Sequence, residues 1–133
     1  MHDIIERLRD LSETVPVPLT LPTFDQLVQV EEEILIPLPA ELKEYLLYAS
    51  DVIHGTIEPV TASDPYSHTY LPEVTSYAWS IGMPREYIAI CQQGNNFYSI
   101  DQEGQVLLWS EDELESETWE SFWQWAEEVW IQS

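Results

Sequence analysis

An antiparallel β-sheet with helices packed on it is the fold the sequence predicts, on three observations. Residues Tyr87–Trp109, YIAICQQGNNFYSIDQEGQVLLW, contain three short runs rich in β-branched and aromatic residues, which suit a pleated surface. Between them lie Gly94-Asn95-Asn96 and Asp101-Gln102-Glu103-Gly104, whose Gly and Asn tolerate the positive φ of a tight reversal. Near the C-terminus Phe122, Trp125, Ala126 and Val129 fall at i, i+3, i+4 and i+7, the spacing of a helix clamped onto such a sheet.

The helices can be justified in order. Ile4, Ile5, Leu8, Leu11 and Val15 predict an amphipathic helix from Asp3 to Val15, capped by Asp3 and stopped by Pro16 and Pro18. Prolines at 16, 18 and 22 make the next stretch an extended connector rather than a central strand. Thr23-Phe24-Asp25-Gln26 fits a capping box, followed by a stripe of Phe24, Leu27, Val28, Glu31 and Ile34, with Glu31-Glu32-Glu33 as a solvated face. Pro37 ends that helix and Pro39 opens a third, whose inward face is Leu42, Tyr45, Leu46 and Ala49, with Lys43 in water.

Thr56–Val60 reads as a strand and 63–68 as a loop. Leu71, Val74, Ala78 and Ile81 return to helical spacing, with Pro72 near the start and Gly82 past the end. The strands of the meander are Tyr87–Cys91, Phe97–Ile100 and Gln105–Trp109, and the last helix is Thr118–Ile131. The 133 residues form one domain: residues 1–22 a helix and proline-rich connector, residues 23–133 the core.

Composition restricts function more than it defines it. An apolar fraction of 44% and six Trp exclude a disordered chain, and no apolar run approaches the ~20 residues of a membrane span. The charged N-terminus lacks the apolar core of a signal peptide, and Cys91 is alone, so a reducing cytoplasm is expected. There are 25 Asp and Glu against 4 Lys and Arg, a formal −21, and no basic residue follows Arg85. Such a surface repels phosphate backbones, which argues against free nucleic acid as a ligand, and it attracts a basic partner. Acidity that serves only solubility is the alternative.

Three blocks carry a resemblance to a known family. Leu38-Pro39-Ala40-Glu41-Leu42-Lys43-Glu44-Tyr45-Leu46 is similar to a Leu-Pro-x-x-hydrophobic-Lys-x-hydrophobic-Leu block. Ile88–Trp109 is similar to a hydrophobic strand, Gly-Asn turn, aromatic strand ending in Asp, then Gly-x-Val…Trp. Glu120-Ser121-Phe122-Trp123-Gln124-Trp125 is similar to a Ser-Phe-x-x-Phe terminal helix. In this order they resemble the SUKH superfamily, within it the group related to the fungal cell-wall-assembly regulator. Relatives usually place Asn-Gly-Gly after the third helix, where this chain has Ala49–Gly55, and 64–73 matches no family pattern. The resemblance implies an α+β fold. It also implies one of two roles: a bacterial immunity protein that neutralises a toxin, often a nuclease, or a regulatory hub.

The residues themselves suggest little chemistry. Among 25 carboxylates a close pair carries no information without environments that push its pKa values apart. No Gly-x-Ser-x-Gly elbow, phosphate cradle or dinucleotide fingerprint is present. Cys91 lies in a predicted strand as a small buried hydrophobe. His54, Asp64 and His68 could meet at a transient zinc site, but surface residues on a loop are the simpler reading, and no metal or cofactor is expected.

The expected function is therefore protein binding without catalysis. Its predicted contacts are the acid-rich exit from the meander, Glu111, Asp112, Glu113, Glu115 and Glu117, with Asp101 and Glu103 and the solvent face of the sheet. The same run could instead be a solvated linker whose Glu115 and Glu117 favour the N-terminus of the next helix. Trp123 belongs in the core, whereas Trp119 and Trp130, near the helix ends, are expected to be exposed, with Trp119 an anchor for the partner. That partner is a basic toxin domain; a regulatory scaffold role is the alternative.

Overall fold

The computed structural model describes residues 3–15, 19–110 and 113–133, with the side chains of 113–116 excepted. Helix α1 (Asp3–Leu11) buries Ile4, Ile5 and Leu8. It stops at Leu11 rather than Val15 because the chain finds better partners elsewhere. The Glu13 N–H donates to the Ile53 carbonyl at 2.7 Å, and the Ile53 N–H to Ser12 Oγ at 3.2 Å. Pro16 and Pro18, the expected stop, lie outside the described residues.

Helix α2 (Phe24–Ile34) opens with the predicted capping box: Gln26 N–H donates to Thr23 Oγ1 at 3.1 Å, and Thr23 N–H to Gln26 Oε1 at 2.8 Å. Its buried face differs from the predicted stripe. Leu27, Val30 and Ile34 point inward, while Phe24 and Val28 are exposed. Glu31 and Glu33 are not merely solvated. Glu31 accepts the Leu38 N–H at 2.8 Å and pairs with Lys43 at 3.5 Å; Glu33 accepts the Tyr70 hydroxyl at 3.0 Å. Lys43 is thus tied down rather than free in water.

Helix α3 (Ala40–Tyr48) buries Leu42, Tyr45 and Leu46 as predicted. Residues 56–60, read as a strand, instead form only an isolated bridge to the sheet, Pro59 opposite Cys91, with the Val60 N–H donating to the Ile90 carbonyl at 2.9 Å. Helix α4 (Leu71–Ser80) buries Leu71, Val74 and Ala78, and Gly82 beyond it takes φ 120°.

The meander is present and gains a strand. β1 (Ile88–Gln93), β2 (Asn96–Ile100), β3 (Val106–Ser110) and β4 (Glu113–Trp119) pair antiparallel in that order. Gly94 at φ 63° and Gly104 at φ 92° make the two reversals. The acidic run was expected as a linker or partner patch and Thr118 as a helix start. Instead 113–119 pairs with β3, from Ser110–Glu113 to Val106–Trp119, through an irregularity opposite Leu107–Trp109. Helix α5 (Phe122–Trp125) begins only after this strand, capped by Ser121 Oγ accepting the Gln124 N–H, and runs on as a π-helical turn, Ala126–Trp130.

Both faces of the sheet are covered. On one side Tyr77 of α4 packs on Phe97 at 6.1 Å, and Thr75 Oγ1 accepts the Ala89 N–H at 3.2 Å. On the other, Tyr98 meets Trp119 and Trp125 at 5.7 and 5.3 Å, and Tyr45 lies between Phe122 and Trp130. Ile88, Ala89, Ile90 and Cys91 are consecutively buried. The solvent face of the sheet that the sequence suggested therefore does not exist across β1 and β2: helices occupy both sides.

Candidate protein-binding surface

The predicted contact residues are spread along the sheet, Asp101 and Glu103 at one end and Glu113 at the other, with β4 bringing Glu117 and Trp119 back towards the first. Antiparallel pairing puts the β2–β3 turn, with Asp101 and Glu103, at one end and the β3–β4 connection at the other. A five-residue strand at ~3.3 Å per residue separates them by about 16 Å. Glu111 and Asp112 lie outside the described residues; Glu113 and Glu115 are placed on β4 by backbone only; Glu117 is exposed. Trp119 is corrected. It is 7% exposed, paired opposite Val106 at the end of β4 with its ring against Tyr98, so it belongs to the core and cannot anchor a partner. Trp130 is likewise fully buried, its Nε1–H donating to the His54 carbonyl.

What the fold does assemble is an acidic rim around the β2–β3 turn. Asp101 is its builder: Oδ1 accepts both the Glu103 and the Gln105 N–H at 2.9 Å, which commits one carboxylate oxygen to the turn. Gln102 Nε2 donates to the Pro37 carbonyl at 3.1 Å, joining the turn to the chain leaving α2. Two shallow depressions of about 300 and 330 Å³ flank it, the first edged by Glu41, Glu103 and Glu120, the second by Glu86, Asp101 and Glu103. Glu41, Glu86 and Glu120 escaped the sequence reading because they are far apart in the chain. Glu41 also serves the fold, accepting the Phe122 N–H at 2.9 Å, as Glu44 accepts Trp123 Nε1–H at 2.8 Å.

The four cations are all engaged within the chain. Arg7 reaches Glu127 at 3.3 Å, Arg9 reaches Asp51 at 2.8 Å, Lys43 reaches Glu31, and Arg85 lies 4.9 Å from the centre of the Trp79 ring. None lines either depression at the β2–β3 turn. Exposed pairs of this kind each contribute ~0–1 kcal/mol, so their main consequence is the field they leave: a rim of carboxylates whose two depressions are lined by no Lys or Arg.

Elsewhere a polar cleft of about 220 Å³ lies between residues 56–60, His68-Thr69 and Gln92–Gly94. His68 Nε2 is 2.8 Å from Glu58 Oε2, both largely exposed, and Thr61, Thr69 and Ser67 share a chain of hydroxyl bonds behind them. The cleft offers one carboxylate and one imidazole. Cys91 of β1 is buried, its thiol pushed up to about 12 by burial and by the Glu58 charge, against the opposing effect of a backbone hydrogen bond from Glu58. The three residues of the conceivable zinc site have separate partners: His54 Nε2 meets the Ile131 carbonyl, Asp64 Oδ1 accepts the Tyr66 N–H, and His68 meets Glu58. Among the described residues no three metal-ligating side chains converge, and no helix is long and apolar enough to cross a membrane.

Known proteins place this architecture. No curated protein matches the chain. A crystal structure of a protein from Pseudomonas syringae pv. tomato is 53% identical, covers 98% of each chain and superposes with a TM-score of 0.95. The family model described as SMI1-KNR4 cell-wall matches residues 1–131, nearly the whole length. With helices on both sides of the antiparallel meander and the three sequence blocks in register with it, the chain belongs to the SMI1-KNR4 cell-wall family of the SUKH superfamily.

Proposed function

We propose that the chain is a non-enzymatic binding module, an immunity protein that neutralises a basic toxin domain in the cytoplasm by covering its active surface. The observation that carries this reading is the acidic rim, lined by no Lys or Arg, on a chain of net charge −21. A basic groove, such as a nuclease uses for its phosphate backbone, is complementary to that rim, and steering by the field raises the association rate. The same field disfavours free nucleic acid. The buried Cys91 thiol, held far from its reactive form, supports a role in binding rather than nucleophilic catalysis.

The test is genetic and kinetic. A gene lying directly downstream of a secreted toxin should protect cells from that toxin's domain when co-expressed. The purified pair should associate more slowly as salt rises towards about 0.5 M, where the Debye length is a few ångström. Reversing Glu103 and Glu120 to Lys should slow association and flatten its salt dependence. Full protection with unchanged association kinetics in that variant would remove the rim from the interface. A regulatory scaffold, the alternative role, predicts association with little salt dependence.

A further inference from the structure

We propose that the outer side of α2, from Phe24 through Val28 to Leu35, is the anchor surface for a basic amphipathic helix of the protein partner. The inference rests on the reading of a basic protein partner and adds to it the element that grips.

Phe24, Val28 and Leu35 are 67, 45 and 82% exposed, although the helix has a separate core side in Leu27, Val30 and Ile34. At ~100° per residue Phe24 and Val28 lie one turn apart on one side of the helix, and Leu35 follows as its left-handed C-cap. This side runs into a shallow depression of about 410 Å³ lined by Val28, Glu31, Glu32, Leu35, Ile36 and Pro37.

Leu35 is unexplained by the fold alone. It takes φ 65° and ψ 20°, the left-handed conformation for which glycine is the default residue. Its only service to the helix is a backbone bond, its N–H to the Glu31 carbonyl at 2.9 Å, which a glycine would make equally well. The side chain is thus held in a strained backbone position and in water.

Charge identifies the occupant. Three glutamates, Glu31 to Glu33, fill the last turn of α2, where the helix dipole is negative, and that turn carries no basic residue of its own. Glu31 is taken by Lys43 and the Leu38 N–H, and Glu33 by Tyr70, whereas Glu32 is exposed beside Leu35. A cation arriving there would meet both Glu32 and the unfavourable helix end. The fitting ligand therefore carries apolar side chains at helical spacing and Lys or Arg beside them. A second copy of this chain would bring two acidic helix ends and two charges of −21 together. The surface is continuous with the acidic rim through Pro37, whose carbonyl holds Gln102.

The test uses a synthetic peptide of about 18 residues with Leu at i, i+3, i+4 and i+7 and Lys elsewhere, beside an isomer of scrambled order. Titrated into the isotope-labelled protein, the patterned peptide should perturb amides of Phe24–Pro37 and bind at least about tenfold tighter than the isomer, a gap of 1.4 kcal/mol. Leu35→Gly should leave the thermal midpoint unchanged or higher and yet weaken patterned binding at least about fivefold; Val28→Asp should weaken it as well. Equal binding of both peptides, perturbations confined to other surfaces, an unaffected Leu35→Gly variant, or a dimer that buries Leu35 would each overturn the proposal. Protection against a toxin could survive any of these results, so the two readings fail separately.

Discussion

Trp125 shows how a single side chain can be central to the core and imperfectly satisfied. It is fully buried, 5.3 Å from Tyr98 and 5.5 Å from Phe122 by ring centroid, yet its Nε1–H has no hydrogen-bond partner among the described residues. Truncation to Ala removes packing on two rings and should cost about 3–5 kcal/mol in urea unfolding. Trp125→Phe also removes volume, but it deletes an orphaned donor whose desolvation costs ~1–3 kcal/mol, so it should be much milder. Equal losses in the two variants would mean that the indole N–H is satisfied in solution. Cys91 gives a second residue-scale expectation. With its thiol fully buried and raised to about 12, it should resist maleimides and disulfide reagents at neutral pH until the chain unfolds. Rapid labelling of the native protein would contradict that burial.

At the scale of elements, what was legible in the sequence is what local physics decides. The capping box at Thr23, the inward face of α3 and the glycine reversals of the meander depend on near neighbours in the chain, and they stand where the residues put them. Which side of α2 faces inward depends on α4, packed beside it and distant in sequence; Phe24 and Leu27 are equally apolar until that neighbour is in place. The same holds for β4. Alternating Glu, Leu, Glu, Ser, Glu, Thr, Trp carries a strand's period, but low β-propensity hid it until β3 supplied a partner. The candidate site was hardest to read, because its rim is drawn from Glu41, Glu86, Glu103 and Glu120, residues that only the tertiary fold brings to one end of the sheet. β4 pairs on one side only, and acids on an edge strand deter pairing with another chain. Replacing Glu113, Glu115 and Glu117 by Val should therefore produce concentration-dependent oligomers in light scattering. A variant that stays monomeric at millimolar concentration would show that these charges are not what protects the edge.

For the whole molecule, charge and burial together define a stability limit on the alkaline side. Burial raises the phenol of Tyr45 well above its usual 10.0. It also raises Tyr70 to about 12, with help from the hydrogen bond and charge of Glu33. Tyr87 and Tyr98 shift upward mainly by burial too, and Cys91 moves from 9.0 to about 12. In the unfolded chain these groups ionise near their ordinary values. Above pH 9 to 10 the unfolded state therefore holds fewer protons than the native state, and stability falls as pH rises. Below that window the contribution is fully present; through about 12 it is lost as the native groups ionise in turn. Each ionisation also adds a negative charge to a chain already at −21, so the repulsion steepens the fall, more at low salt than at 0.15 M. Urea midpoints measured from pH 8 to pH 12 should stay level to about 9 and then drop progressively, with Tyr70→Phe flattening part of the slope. A midpoint that holds constant to pH 11 would mean that these phenols and the thiol are solvated in the native protein, and that the cover over the sheet is looser than its aromatic packing indicates.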